Sequence, residues 1–244
     1  MSNFYIFRYA VIMVVLVAAI LSSVAMLLKP FQDENIRIDK MKGILASANI
    51  EASAENAIQL YGENIVEEML ISNKGEVIEV IKKGDAEPGQ SKAFKLNLKK
   101  ELYKKSKGED FNIPLLVAET NGKRTYIIPL LGTGLWGPVW GNIALEEDFN
   151  TVVGVTFGHK GETPGLGAEI DTKNFQVQFV GKEIFKNGEF ISVKVVKGGI
   201  VTMPTDMQIH GVDAISGGTI TSDAVSEMIA NCLENYVPFI KNQN

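Results

Sequence analysis

The sequence is poor in the residues that bind metals through nitrogen or sulfur. It has one cysteine and two histidines among 244 residues, too few for a zinc or iron–sulfur site of the usual Cys/His type. A single cysteine also excludes a disulfide within the chain. The formal net charge of −5 gives no electrostatic reason to expect nucleic-acid binding. We therefore expect no metal site and no nucleic-acid partner.

Charge is absent from the segment between Tyr9 and Leu28. An apolar helix of about 20 residues spans the hydrocarbon core of a bilayer, and Arg8 and Lys29 bracket this one. A cleaved signal peptide is the alternative, but its apolar region would be unusually long and no small-x-small cleavage site precedes Lys29. We therefore predict a retained anchor over residues 1–30, in contact with membrane lipid.

The charges that flank this anchor leave its orientation open. More Lys and Arg follow the apolar segment than precede it, which would keep the following domain in the cytoplasm by the positive-inside rule. That rule weakens for long domains, and this one has some two hundred residues. Charge alone therefore does not decide on which side of the membrane the domain lies.

A helical and lysine-rich membrane-proximal region is predicted for residues 31–120. Apolar stripes at helical spacing predict helices within residues 31–70. Asn73-Lys74-Gly75 is typical of a turn in a β-hairpin, and the lysine-rich residues 82–112 are typical of a solvated, partly mobile surface.

Residues 121–244 have the pattern of a strand-rich domain. Strands are predicted over residues 126–131, 142–145, 152–157 and 191–196, with a short helix over residues 173–180. Because helices and strands do not alternate regularly, the pattern favours an α+β fold with a mostly antiparallel sheet and packed helices.

The C-terminal segment predicts a helix that begins at about Ser222. One face of it carries apolar residues at helical spacing, namely Val225, Met228, Ile229, Cys232, Leu233 and Tyr236. Cys232 is therefore expected to be a buried structural thiol. Glycines and hydroxyl side chains of residues 213–222 precede this helix. They can form a turn in which Thr221 or Ser222 caps the helix, or an anion site at its N-terminus.

Glycine-rich loops recur in the same domain. They cover residues 132–141, 161–167 and 213–222, and both tryptophans lie in the first of them. Glycine lets the backbone approach a ligand closely. Each loop alone could be ordinary turn chemistry, but together they suggest a flat, phosphate-bearing ligand.

These motifs resemble those of the NqrC family, the covalent-flavin subunits of the bacterial Na⁺-translocating NADH:quinone reductases. That family attaches FMN through its phosphate to the last residue of the pattern Asp-x-x-Ser/Thr-Gly-Ala-Thr. The pattern is matched here by Asp213, Ser216, Gly217, Gly218 and Thr219. Gly218 replaces the alanine of the family, a loss of one methyl group that is expected to loosen the turn. The resemblance is close from Gly132 to the C-terminus and looser for the anchor and the helices of residues 31–70. It implies that residues 121–244 are a covalent FMN-binding domain.

The resemblance implies a set of cofactor-binding residues and no catalytic residue. Thr219 is the expected attachment site. The other expected members are Asp213, Ser216, Gly217, Gly218, Thr221, Leu135, Trp136, Glu162, Thr163, Gly165, Leu166, Lys197 and Gly198. Leu135 and Trp136 are expected beside the isoalloxazine ring, although Trp136 could instead be a hydrophobic plug at the sheet edge. Lys197 could stabilise reduced flavin or be an ordinary surface lysine.

The function that the resemblance implies is electron transfer within a Na⁺-pumping complex of the inner membrane. It implies a flavin domain on the periplasmic side, other subunits as partners and an external flavin transferase, since neither Thr219 nor Thr221 has an evident base. One alternative is the related flavoprotein of an Rnf-type ferredoxin:NAD oxidoreductase, which uses the same covalent flavin. Another is a membrane-anchored binding domain without a cofactor.

Overall fold

The N-terminal part of the chain is one long helix. The computed structural model describes residues 3–243, which form two compact units, one up to Lys40 and one from Met41 onward. Helix α1 (Asn3–Ser47) contains Pro30. In length and composition it is the one helix among residues 3–243 that could cross a membrane. The predicted apolar helix is therefore confirmed.

The second unit begins with the end of α1, which is followed by a second helix and a hairpin. Helix α2 (Ala57–Asn64) is followed by strand β1 (Ile65–Ser72) and strand β2 (Val77–Lys82). The hairpin turn predicted at residues 73–75 is confirmed, and Gly75 adopts a φ of 81°. The helical pattern predicted up to residue 70 is wrong from Ile65 onward. That segment becomes a strand because it pairs with neighbours on both sides.

The lysine-rich segment contains two short helices, α3 (Lys92–Lys95) and α4 (Leu98–Ser106). Its lysines are mostly exposed, as predicted, whereas Ala93 and Phe94 are buried. The ring of Phe94 packs edge-on against Tyr61 at 5.6 Å between centroids. This segment is therefore attached to the core through α3.

The strands and helices predicted from residue 126 onward occur in the predicted order, together with strands and a helix that were not predicted. The strands are β3 (Asn112–Thr120), β4 (Lys123–Thr133), β5 (Pro138–Leu145), β6 (Val152–His159), β7 (Phe185–Lys186), β8 (Glu189–Phe190), β9 (Lys194–Val196) and β10 (Gly211–Asp213). The helices are α5 (Lys173–Gln176), α6 (Thr219–Leu233) and α7 (Val237–Gln243). The strand predicted over residues 191–196 is shorter than expected, because Ser192 has a φ of 67°, which ends extended structure there.

Six strands form an antiparallel sheet in the order β2-β1-β3-β4-β5-β6. The predicted α+β class with a mostly antiparallel sheet is therefore confirmed. Strands β9 and β10 form a small parallel pair. The large sheet takes strands from both sides of residue 120. The division of the chain into an anchor, a membrane-proximal region and an FMN-binding domain remains a prediction.

Helix α6 packs across the large sheet. Its buried face consists of the apolar residues predicted from their spacing, which join the residues of β3 to β6 in one core. The Tyr236 hydroxyl, just beyond α6, donates to the Pro114 carbonyl at 2.6 Å. Packing of α6 on β4 and β5 brings its N-terminal end close to the loop that joins these two strands.

Candidate functional site

Three glycine-bearing loops meet at the N-terminal end of α6. Between them lies an open cavity of about 240 Å³. It is lined by Leu135, Glu162, Thr163, Leu166, Gly167, Gly217, Gly218, Thr219, Ile220 and Thr221. All of these except Gly167 and Ile220 belong to the site predicted from the sequence. Gly167 ends the predicted second loop, so its glycine content was a signal that could have included it. Nothing in the local pattern singles out Ile220.

The attachment motif forms a tight turn before α6. The Gly218 N–H donates to the Ile215 carbonyl at 3.0 Å, and Gly217 between them has a φ of 75°, a conformation that favours glycine. A Cβ at Gly217 would also lie 2.6 Å from Cδ2 of Leu166. Glycine at position 217 therefore allows the turn to form and lets the turn contact the loop that contains Leu166.

Helix α6 begins at Thr219, three residues earlier than predicted. Gly218 is the N-cap residue, and no side chain among residues 3–243 caps the first N–H groups of the helix. Thr219, the first residue of the helix, is partly buried. This end of the helix is an electropositive environment for an anion.

The predicted capping role of Thr221 or Ser222 is wrong. Both residues lie inside the first turn of α6, so their hydroxyls serve other partners. Thr221 is 2% exposed and its hydroxyl donates to Oε2 of Glu162 at 2.7 Å. Oγ of Ser222 accepts from the Ile215 N–H at 3.2 Å, which holds the attachment turn against the helix.

Glu162 connects two sides of the cavity. It is 4% exposed. While Oε2 accepts from Thr221, Oε1 accepts from the Trp136 N–H at 2.9 Å. The N–H of Glu162 itself donates to Nδ1 of His159 at 3.1 Å. The carboxylate therefore joins the loop after β4, the loop after β6 and the first turn of α6.

Two glycines leave room for this carboxylate. A Cβ at Gly134 would lie 2.6 Å from Oε1 of Glu162, and a Cβ at Gly167 would lie 2.8 Å from Oε2. Both distances are too short for real carbon contacts. Glycine at these two positions is therefore a condition for burying Glu162 where it is.

The aromatic loop between β4 and β5 is exposed at the cavity edge. Trp136 is 66% exposed and Leu135 is 49% exposed. A tryptophan so exposed is not a hydrophobic plug. Leu135 lines the cavity, whereas the part of Trp136 fixed in place is its backbone, through Glu162.

Other predicted site residues do not line the cavity. Gly165 has a φ of 73° in the loop after β6, and Ser216 is exposed in the attachment turn. Oδ1 of Asp213 accepts from the Ile200 N–H at 2.7 Å. Lys197 and Gly198 occupy the exposed turn after β9, next to this contact.

The buried environment of Cys232 makes its thiol unreactive. Cys232 is buried, and its Sγ lies 3.5 Å from the Leu131 carbonyl oxygen. Burial raises the pKa of the Cys232 thiol above its ordinary value. A thiol that stays protonated is neither nucleophilic nor a metal ligand, which agrees with the structural role predicted from its position.

Among residues 3–243 there is no His/Cys/Asp/Glu group that could hold a metal ion.

Comparison with known proteins identifies the domain that carries the cavity. A family model described as FMN-binding domain matches residues 134–234, which include the second and third loops and all but the first two residues of the first. The NqrC subunit of the Na⁺-translocating NADH-quinone reductase of Vibrio parahaemolyticus is 35% identical over 215 residues, covering 84% of this chain and 81% of the relative. The same subunit of Haemophilus ducreyi is 33% identical over 224 residues, covering 88% of this chain and 83% of the relative.

A solved structure agrees with these sequence relatives. The crystal structure of the same Na⁺-translocating NADH-quinone reductase subunit from Parabacteroides distasonis is 42% identical to this chain. It superposes with a TM-score of 0.76 and covers 89% of this chain and 98% of the other. The structure of Shewanella oneidensis NqrC, at 22% identity and a TM-score of 0.66, shares the fold.

Proposed function

The chain belongs to the NqrC family of Na⁺-translocating NADH-quinone reductases, and from this we propose that it is an electron-transfer subunit whose FMN is linked through its phosphate to Thr219. The other subunits of such a complex are its partners. The observation that carries the proposal is the position of the Thr219 side chain, which lines the cavity at the first residue of α6.

The start of α6 supports a phosphate at this position. The helix has 15 residues and no side-chain cap among the described residues, so its first N–H groups and the positive end of its dipole are available to an anion. Within residues 3–243 the Thr219 hydroxyl is not engaged in a hydrogen bond, whereas that of Thr221 is committed to Glu162. The two threonines thus have different roles, and Thr219 is the one suited to esterification.

The cavity residues fit the rest of an FMN molecule. Leu135 and Leu166 provide apolar walls, and Gly217 and Gly218 let a ligand approach the backbone. Asp213 contributes indirectly, since its carboxylate accepts from the Ile200 N–H and so holds the segment that follows Lys197 and Gly198. FMN supplies the electron transfer, while this chain binds and orients it.

Attachment requires an enzyme other than this chain. The nearest histidine in sequence, His210, is 1% exposed and its Nδ1 lies 2.6 Å from the Glu183 carbonyl oxygen. The buried Glu162 carboxylate is already bound by Thr221 and Trp136. Neither group is placed to deprotonate Thr219, so an external flavin transferase is part of the proposal.

The membrane arrangement completes the proposal. We place the apolar segment of α1 across the inner membrane as a single span and the domain from Met41 onward on the periplasmic side. Alkaline phosphatase fused to the C-terminus should then be active in cells. An inactive fusion, together with an active cytoplasmic reporter at the same position, would reverse the orientation.

The attachment site is tested by paired threonine variants in cells that contain the transferase. Thr219→Ala should abolish covalent flavin and electron transfer by the complex, while the domain stays folded. Thr221→Ala should keep the flavin attached. Mass spectrometry of the tryptic peptide from Gly198 to Lys241 measures the added FMN less water, and flavin fluorescence on a denaturing gel measures its covalency. Covalent flavin on Thr219→Ala protein would refute the assignment.

A further inference from the structure

We propose that Glu162 is a positioning residue that holds the two walls of the flavin cavity at a fixed separation. The inference rests on the proposed function in so far as the cavity is the flavin site. It concerns what fixes the shape of that cavity, because both carboxylate oxygens of Glu162 are engaged by the protein.

The two hydrogen bonds of Glu162 come from distant parts of the chain. Trp136 precedes Glu162 by 26 residues, and Thr221 follows it by 59 residues. Trp136 belongs to the exposed loop after β4, whereas Thr221 belongs to the first turn of α6. One side chain therefore connects an exposed loop to the helix that begins at Thr219.

The burial of Glu162 shows that the connection is specific. A buried carboxylate is costly unless it is hydrogen-bonded, and among residues 3–243 no Lys, Arg or His side chain lies within ion-pair distance of Glu162. Gly134 and Gly167 leave space that fits its two oxygens. Hydrogen bonding to loop and helix is therefore what compensates its desolvation.

The contact also fixes Thr219 indirectly. Thr221 is in the same helical turn as Thr219, so a hydrogen bond that holds the side chain of Thr221 inward determines which way Thr219 faces. At the same time Oε1 holds the backbone of Trp136, beside the cavity-lining Leu135. Loss of Glu162 should therefore release both the loop after β4 and the first turn of α6, while Thr219 itself remains in place.

Variants of the full-length protein separate positioning from general stability. Glu162→Ala removes both hydrogen bonds, and Thr221→Val removes one donor. Glu162→Gln keeps them in altered form, because its carbonyl oxygen can accept from Trp136 and its amide can donate to the Thr221 hydroxyl. The matched control is Glu68→Ala, since Glu68 is also a buried carboxylate that accepts from two hydroxyls, those of Tyr61 and Ser91, and does not line the cavity.

Hydrogen exchange of the Trp136 amide in the flavin-free protein is the first measurement. Loss of one hydrogen bond should speed exchange about tenfold in Glu162→Ala. Exchange in Glu162→Gln should stay within about twofold of wild type by the same conversion. Glu68→Ala should leave this amide unchanged. An unchanged rate in Glu162→Ala, or an equal increase in Glu68→Ala, would overturn the proposal.

The flavin-loaded protein provides the second measurement. Covalent FMN should remain in Glu162→Ala, since Thr219 is intact, but the visible circular dichroism of the flavin should weaken, and Glu162→Gln should restore it. A full flavin signal in Glu162→Ala would refute the positioning role. If even wild-type protein takes up no covalent flavin, the proposed function fails, and the exchange experiment still decides whether Glu162 couples the loop to the helix.

Discussion

Gly132 of β4 lies directly beneath Met228 of α6. A Cβ at Gly132 would lie 2.8 Å from Cβ of Met228 and 3.1 Å from its Cγ. The helix can therefore approach the sheet closely at this point because β4 carries no side chain there. Because Met228 and Thr219 belong to the same rigid helix, this contact helps to set the height of the attachment residue above the sheet.

Gly132→Ala should destabilise the protein by about 1–3 kcal/mol, since the added methyl overpacks a well-filled interface. Urea unfolding of the purified protein, followed by circular dichroism, would measure the loss. Gly161→Ala is the control, because a Cβ there meets nothing within 4 Å. Equal stability of Gly132→Ala and wild type would show that α6 can move away from the sheet without cost.

Gly167→Ala should displace the Glu162–Thr221 hydrogen bond. The new Cβ would lie 2.8 Å from Oε2 of Glu162 and 3.0 Å from Cβ of Thr221, so we expect a loss of about 1–3 kcal/mol in the free energy of unfolding. A double-mutant cycle with Thr221→Ala would measure the coupling, because that variant removes the crowded hydroxyl. Additive effects of the two substitutions would contradict a shared contact.

Gly218→Ala should restore the alanine of the family pattern at little cost. The backbone of Gly218 has a φ of −102° and a ψ of 33°, which alanine can adopt. Its Cβ would lie 3.1 Å from Cγ2 of Ile215 and 3.2 Å from the carbonyl carbon of Leu166.

This mild crowding opposes the gain of about 0.4–1 kcal/mol from a less flexible unfolded chain. We therefore expect stability to change by less than about 1 kcal/mol. The yield of covalent flavin at limiting transferase should rise, since the turn is firmer. Gel fluorescence measures this yield, and a lower yield than wild type would refute the prediction.

The Cys232 thiol should make stability fall at alkaline pH. Its pKa is raised in the folded protein because the thiol is buried, so above roughly pH 8.5 the unfolded chain loses a proton that the folded protein retains. Stability then decreases by at most about 1.4 kcal/mol per pH unit from this group.

Cys232→Ser removes the titrating thiol, and its hydroxyl can donate to the Leu131 carbonyl. Unfolding free energies of both proteins between pH 7 and 10 should therefore converge as the pH rises. A constant difference across this range would show that Cys232 does not contribute to the alkaline slope. The buried Tyr61, whose pKa burial also raises, acts equally in both proteins and cancels. Burial raises the pKa of Tyr236 as well, and the charge of Cys232 raises it further, so the comparison measures Cys232 together with its effect on Tyr236.

Local patterns predicted the parts of the fold that depend on local chemistry. The uncharged segment from Tyr9 predicted the long apolar helix, and the spacing of Val225, Met228 and Cys232 predicted the buried face of α6. Ile65 fitted a helical stripe equally well, yet it begins β1. The partner that decides this, β3, lies some fifty residues further along the chain, where no local pattern can reveal it.

The candidate site shows the same limit. The glycine loops and the family resemblance identified most of the residues that line the cavity, including Leu135, Glu162 and Thr219. They did not reveal that Thr221 would donate to Glu162 instead of capping α6. That hydrogen bond forms because the loop after β6 lies close to the helix, and Gly167 leaves the space for this approach. The approach is a tertiary contact, which no local sequence pattern reveals.

The position of α6 also sets an order on biosynthesis. The large sheet is complete in the chain once β6 has been made, and domains begin to fold during synthesis, N-terminal parts first. Helix α6, by contrast, follows every strand of this sheet, and its apolar face packs on the assembled strands. The turn before α6 is therefore fixed only after the sheet has formed, so a transferase that modifies Thr219 would select chains whose sheet is already folded.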